Sequence, residues 1–423
     1  MRILHTSDWH LGQYFYGKSR AGEHQGFLSW LLEQVSSLSV DLVLVAGDIF
    51  DTGTPPSYAR EMYFDFVVQL NRLGCQLVIL AGNHDSVAML GESKQLLAHL
   101  STRVIPAVSD DLDQQVFVVQ NKSGEDALVL CAIPFIRPRD VLKSRAGQSA
   151  QEKQQALQLA ISEHYQKLYR RAEQLALKAV GQAEPDTGQK LPIMATGHLT
   201  ALGVTTTESV RDIYIGTLEA FPAREFPEAD YIALGHIHRG QKVAKSEHIR
   251  YSGSPLALSF DEAGQGKQVL LADFADGALD KVTSVAVPCF QPLFMVKTSL
   301  ESLGQEIQQL ATDHQQELQP EQTLWLDIEI DSGDYLQDVQ GRIETLLEDL
   351  PIEVLRIRRS KKNRQSLGSG QEKITLDELS ISDVFTARLT QENWQTDEEL
   401  KREQRLTTLF LQAAEAVKTE QSA

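Results

Sequence analysis

Five short segments hold residue types suited to gripping divalent cations: Ser7-Asp8-Trp9-His10, Gly47-Asp48-Ile49-Phe50-Asp51, Gly82-Asn83-His84-Asp85, Gly197-His198 and Gly235-His236-Ile237-His238. Together they offer Asp, Asn and His and no Cys. Oxygen plus imidazole donors suit Mn²⁺, Fe²⁺ or Zn²⁺, whereas an all-oxygen set suits Mg²⁺ or Ca²⁺. Two such cations side by side can clamp phosphoryl oxygens and lower the pKa of a water, the chemistry of phosphoester hydrolysis. Taken singly, each segment has a bland reading as a loop or turn. As an ordered set they do not, and five of the chain's 11 histidines lie in them. His5, His24, His99, His164, His248 and His314 fall outside and read as structural or solvated.

Each segment follows an apolar run with the length and composition of a buried strand. The runs are Arg2–His5, Asp41–Ala46, Gln76–Ala81, Ala127–Ile133, Pro192–Thr196, Asp230–Leu234, Ile249–Tyr251 and Gln268–Phe274. Between them His24–Ser37, Pro56–Leu73 and Gln151–Ala179 read as helices, and 181–190 as a surface loop. Alternating strands and helices predict a layered α/β domain. In such sheets sites gather beyond the carboxyl ends of strands, so one topological rule brings five distant segments into one crevice. Glycine directly precedes four of the segments, where a sharp backbone turn is expected.

In their order and spacing these segments resemble the calcineurin-like metallophosphoesterase superfamily. Thr6-Ser7-Asp8-Trp9-His10-Leu11-Gly12, Pro55-Pro56-Ser57 and Tyr251-Ser252-Gly253-Ser254-Pro255 are similar to a branch of bacterial DNA nuclease subunits within it. The resemblance implies a layered β-sandwich with flanking helices, a small α/β capping domain and C-terminal helices. It implies that Asp8, His10 and His238 bind one metal, that Asn83, His198 and His236 bind a second, and that Asp48 bridges both. It also implies that His84 faces the scissile phosphate without binding metal. Asp85 is expected to orient His84, and Asp51 to position water or support a ligand; eukaryotic and archaeal relatives tend to have His where this chain has Asp51. The implied cofactor is a pair of divalent ions, Mn²⁺ in this branch. The implied activity is 3′-to-5′ exonuclease on double strands and endonuclease on single strands and hairpins, in DNA repair, recombination and replication. An SMC-like ATPase partner docks on the C-terminal helices, within a heterotetramer containing a homodimer of this subunit.

Composition bounds these readings. The formal net charge is −18, which argues against a chain that coats nucleic acid unaided. It permits a phosphodiester substrate, because bound cations reverse the local field. No apolar run reaches membrane-spanning length. The start Arg2-Ile3-Leu4-His5-Thr6 turns polar too soon for a secretion signal. Cys75, Cys131 and Cys289 lack metal-ligand spacing and read as reduced thiols of a cytoplasmic protein. No Gly-x-x-x-x-Gly-Lys-[Ser/Thr] loop or Gly-x-Ser-x-Gly elbow occurs, so P-loop ATP hydrolysis and Ser-hydrolase chemistry are not expected.

The expected domains are a metallophosphoesterase domain at 1–287, a small α/β capping domain at 288–358, a basic linker at 359–374 and a helical partner-binding tail at 375–423. The capping domain reads as strand Leu293–Thr298, helix Ser299–Thr312, strand Thr323–Ile330, helix Tyr335–Leu347 and strand Glu353–Ile357. Arg356, Arg358, Arg359, Lys361, Lys362 and Arg364 read equally well as a DNA-facing cluster and as a solvated linker. Tail positions Leu376, Leu379, Val384, Phe385 and Leu389, then Leu406, Leu409, Phe410, Ala413 and Val417, run at helical spacing. Two other functions stay open: a metallophosphoesterase acting on non-DNA esters, and a non-catalytic scaffold for an ATPase. Phosphoprotein phosphatases of the superfamily carry Arg-Gly after the second segment, where this chain has Thr52-Gly53.

Overall fold

The computed structural model describes residues 1–142, 149–181, 190–210, 220–314, 318, 322–330, 339–348 and 350–359. The chain divides into two compact units, Met1–Lys361 and Lys362–Ala423, and every described residue lies in the first. The expected linker beyond Arg359, the tail, most of the expected 181–190 loop and the start of the expected Tyr335–Leu347 helix lie outside the described residues.

In chain order the strands are β1 Arg2–Thr6, β2 Tyr14–Phe15, β3 Lys18–Ser19, β4 Leu42–Ala46, β5 Gln76–Leu80, β6 Thr102–Ile105, β7 Val116–Gln120, β8 Asp126–Cys131, β9 Ile193–His198, β10 Tyr231–Gly235, β11 Gln241–Lys242, β12 Ile249–Tyr251, β13 Gln268–Ala275, β14 Ala278–Ala286, β15 Leu293–Thr298, β16 Leu324–Ile330 and β17 Ile352–Arg359. The helices are α1 Ala21–Ser37, α2 Ser57–Arg72, α3 Val87–Glu92, α4 Lys94–Ala98, α5 Pro138–Val141, α6 Ala150–Ala179, α7 Leu303–His314 and α8 Val339–Leu347. Two six-stranded sheets form, in the orders β14-β13-β1-β4-β5-β6 and β11-β12-β10-β9-β8-β7.

Side-chain alternation builds the layers. In β4, Leu42, Leu44 and Ala46 face the second sheet and meet Leu128, Leu130, Met194 and Ala233. Val43 and Val45 point the other way, against Phe27 and Leu31 of α1 and Tyr63 and Phe66 of α2. On the second sheet, Val129, Ile193, Ala195 and Ile232 pack under Leu157, Ile161, Tyr165, Leu168 and Ala172 of α6, a stripe with helical spacing. The result is helix, sheet, sheet, helix. A strand buried on both faces reads as a continuous apolar run, and each fully buried Leu or Phe contributes about 1.5–3 kcal/mol. His5 crosses between the sheets, pairing with Tyr231 Oη at 3.0 Å and with the Leu234 carbonyl. Burial pushes its imidazole down to about 3, so it stays neutral.

β1, β4 and β5 are parallel neighbours, as are β9 and β10. The bonds from His198 to the Ala46 carbonyl and from His236 N–H to Asp8 bring the ends of the two sets together at one edge of the sandwich. Residues Leu293–Arg359 add a parallel sheet, β15-β16-β17, with α7 and α8 between its strands in sequence and a core built on Leu303, Ile307, Leu326, Ile328 and Ile343. Phe15, Phe260, Leu293 and Trp325 form a separate cluster joining it to the sandwich, with Phe15 stacked on Trp325 at 5.8 Å. Arg356 and Arg358 both pair with Asp327, and Arg358 also reaches Glu329. Among the described residues no helix is long and apolar enough to cross a membrane.

Candidate metal centre

The motif loops are zipped together before any ligand is considered. Asp8 N–H donates to the Gly47 carbonyl at 3.0 Å, His10 N–H to the Asp48 carbonyl at 3.1 Å and Leu11 N–H to the Ile49 carbonyl at 2.9 Å. Trp9 anchors the first loop: its indole is buried edge-on against Phe27 and Phe66, and its N–H reaches Thr6 Oγ1 at 3.0 Å. The Asp8 carboxylate accepts from Ser7 Oγ at 2.6 Å and from the His236 N–H at 2.9 Å, tying the first loop to the second sheet. Four site residues sit at positive φ: Asp8 at 55°, His10 at 49°, Asp48 at 51° and His236 at 93°. A non-glycine residue there costs on the order of 1–3 kcal/mol, held in place by the surrounding hydrogen bonds.

Two of the glycines before the motifs, Gly82 and Gly235, have a different reason from the expected sharp turn. Of the four only Gly47 has positive φ. A Cβ on Gly235 would lie 1.9 Å from the Ala46 carbonyl oxygen, and one on Gly82 would lie 2.1 Å from Asp48 Oδ1. At Gly82 and Gly235 close approach of one motif to the next demands the missing side chain, whereas Gly47 turns at φ 95° as expected.

Ligand-type atoms converge in three sets, each within 4.8 Å: Asp8, His10 and His238; Asp48, His198 and His236; and His10, Asp48 and His84. Asn83 joins the second set, its Oδ1 lying 3.0 Å from His198 Nε2 and 3.1 Å from His236 Nδ1. Two donors about 2.1 Å from a shared ion and at right angles are about 3.0 Å apart, so this spacing fits a cation between them. Asp48 stands between the sets: Oδ2 is 3.2 Å from His198 Nε2 and 3.7 Å from His10 Nε2, while Oδ1 accepts the His84 N–H at 2.9 Å.

Ring orientation is set from behind. His198 Nδ1 donates to the Ala46 carbonyl at 2.9 Å, and His10 Nδ1 meets Asp51 Oδ1 at 3.2 Å. Both rings thus turn Nε2 toward Asp48, the arrangement typical of metal-bound histidines. Asp8, His10, Asp48, His198, His236 and His238 are all buried. His10 Nε2 and His236 Nε2 are buried without a hydrogen-bond partner. Burial opposes charge on His198, but the nearby Asp48 carboxylate outweighs it and pushes the ring up to about 9. Burial and the neighbouring His198 hold His236 well below the ordinary range. Buried carboxylates beside bare imidazole nitrogens demand compensating cations, so the donor set fits divalent ions.

Asp85 makes other contacts than expected, whereas Asp51 stands behind a ligand ring, one of the two roles expected of it. The Asp85 carboxylate accepts the backbone N–H groups of Ile49, Phe50 and Gly82, at 2.8–3.2 Å. It locks the second and third loops together instead of orienting His84. Burial and the charge of Asp48 push it up to about 6. The group on His84 Nδ1 is the Asp51 carbonyl, at 2.7 Å. Asp51 therefore serves two rings, His84 by its main chain and His10 by its side chain. The motifs also miss Ser209 and Glu262, which stand behind His238. Neither lies in a recognisable pattern; the Ser252-Gly253-Ser254-Pro255 segment is the nearest signal, and Ser254 Oγ reaches Glu262 at 3.4 Å.

Known proteins resemble the chain along nearly its whole length. Residues 1–240 match the family described as calcineurin-like phosphoesterase, and residues 289–393 match a family described as type 5 capsule protein repressor C-terminal domain. The chain is 49% identical over 410 residues to the SbcD subunit of the nuclease SbcCD from Escherichia coli (strain K12), covering 97% of both chains. It is 34% identical over 306 residues to the protein of the same name from Rhodobacter capsulatus, covering 70% of this chain and 71% of that one. Among solved structures, a dimetal phosphatase from Danio rerio aligns over 68% of this chain and 99% of its own, with 11% identity and a TM-score of 0.36.

Proposed function

The chain belongs to the calcineurin-like phosphoesterase family and, within it, to the SbcD nuclease subunits, and from that membership we propose that it hydrolyses phosphodiester bonds in DNA with two divalent cations. Asp8, His10 and His238 hold the first, Asn83, His198 and His236 the second, and Asp48 is shared. The observation that carries this reading is the position of Asp48 Oδ2 between His198 Nε2 and His10 Nε2, one from each set. When bound, the cations neutralise the phosphodiester's charge and lower the pKa of a nucleophilic water.

The protein's own groups do the rest. Asp48 keeps the two ligand sets in register. His84, with its Nδ1 proton committed to the Asp51 carbonyl, presents Nε2, which in the doubly protonated ring can stabilise phosphoryl charge or protonate the leaving 3′ oxygen. Asp85 holds the loop that carries it. The finer reading is Mn²⁺-dependent 3′-to-5′ exonuclease on double strands and endonuclease on single strands and hairpins, in DNA repair, recombination and replication. The division at 287, 358 and 374, docking of an SbcC-type SMC-like ATPase on the tail, a homodimer within a heterotetramer and a cytoplasmic, nucleoid-associated location belong to the same proposal. Arg356 and Arg358, engaged with Asp327, are poor DNA contacts; Lys361, Lys362 and Arg364 lie outside the described residues.

The test is cleavage of a labelled hairpin DNA with Mn²⁺ by wild type and His84→Gln. The variant should bind metal normally and lose roughly 10²–10⁴-fold in rate, the range for general acid–base catalysis. Equal rates would remove His84 from the chemistry. No cleavage by wild type, with or without the ATPase, would favour the scaffold function.

A further inference from the structure

The two ligand sets are braced differently. Behind His198 stands a backbone carbonyl, that of Ala46. Behind His238 stands a relay of side chains. His238 Nδ1 lies 2.6 Å from Ser209 Oγ and 3.4 Å from Glu262 Oε1. Ser209 Oγ–H donates to Glu262 Oε1 at 2.5 Å, and Thr207 Oγ1–H to the same oxygen at 2.9 Å. The other carboxylate oxygen takes the Lys267 ammonium and the Leu258 N–H. Glu262 is completely buried.

A hydroxyl has one proton. With that proton committed to a carboxylate, Ser209 Oγ can only accept from the imidazole. Nδ1 must then carry the ring proton, and Nε2 keeps its lone pair on the side of Asp8 and His10. Glu262 cannot accommodate a second tautomer cheaply, because its oxygens are already bonded to Ser209, Thr207, Leu258 and Lys267.

We propose that Ser209 and Glu262 are positioning residues of the first metal site, fixing the tautomer and orientation of His238 so that this site, and not the second, depends on them. The inference rests on the two-metal reading above. The placement of Ser209 is itself secured from the same turn. Glu208 N–H donates to Asp261 Oδ2 at 3.0 Å, which clips the segment carrying the serine to the turn Phe260–Glu262.

The experiment is titration of Mn²⁺ into the metal-stripped full chain, followed by calorimetry and by paramagnetic resonance of the free ion. Wild type should take up two ions. Ser209→Ala should weaken one of them roughly 10–100-fold, the usual effect of losing a partner behind a ligand, and leave the other unchanged. Ser209→Thr keeps the hydroxyl and should retain both affinities. Glu262→Gln should repeat the selective loss. Two unweakened ions in Ser209→Ala, or equal weakening of both in a Ser209→Ala chain that melts like wild type, would overturn the proposal. A wild-type chain that binds fewer than two ions would overturn the two-metal reading instead.

Discussion

At the scale of single residues, Asp48 governs the site because His10, His198 and His236 all respond to its charge. With burial opposing, that charge still holds His198 protonated up to about pH 9. At His236, burial and the neighbouring His198 outweigh it, and the ring stays neutral. One consequence concerns pH. His198 Nδ1 is committed to the Ala46 carbonyl, so the proton lost on metal binding must leave Nε2. Below pH 9 a cation competes with that proton; above it the competition ends. Metal affinity at the second site should therefore rise as pH increases from 6.5 toward 9 and then level off, with about one proton released per ion bound near neutrality. Calorimetry in two buffers of different ionisation enthalpy measures this release. An affinity independent of pH across that interval would count against the assigned role of His198.

At the scale of elements, the parallel strands decide where the motifs end and the glycines decide how closely they meet. Gly235 lets β10 lie against the end of β4, close enough for the Ala46 carbonyl to reach His198. The eight apolar runs read from sequence all coincide with strands, because strands buried on both faces carry few polar residues. The runs do not reveal β14, whose residues are mostly exposed along the sheet edge. The short β2–β3 hairpin is equally silent, since two-residue strands carry no periodicity. The strand-helix-strand-helix-strand order after Leu293 is legible, but not what seats it. Trp325 does so, stacked on Phe15 beside Phe260 and Leu293. Trp325→Ala should cost about 3–5 kcal/mol, the range for a large aromatic removed from a core. Denaturant unfolding of the full chain reads this, and a loss under about 1 kcal/mol would mean the cluster does not hold the two parts together.

At the scale of the whole molecule, a net charge of −18 has to be reconciled with a polyanionic substrate. The carboxylates of Asp8 and Asp48 are buried among the site's imidazoles, so bound cations can reverse the field where it counts whether or not the proposed ATPase partner is present. The proposal that Thr375–Ala423 docks on that partner has a direct check. Removing these residues should abolish co-purification with the SbcC-type ATPase and leave Mn²⁺ uptake by the truncated chain unchanged. Unaltered complex formation would sink the docking assignment. What the sequence by itself determined is the chemistry on offer and its address: Asp, Asn and His in five motifs, each at a strand end, because apolar runs and glycine punctuation are local signals. Only the tertiary structure decided that Asp48 lies between two clusters, that Asp85 braces loops, that Asp51 serves His84 by its carbonyl, and that Ser209 and Glu262 stand behind His238. Those roles depend on which atoms meet across folded layers, and hydrogen bonds between residues 29 to 152 positions apart leave no periodic mark in the chain.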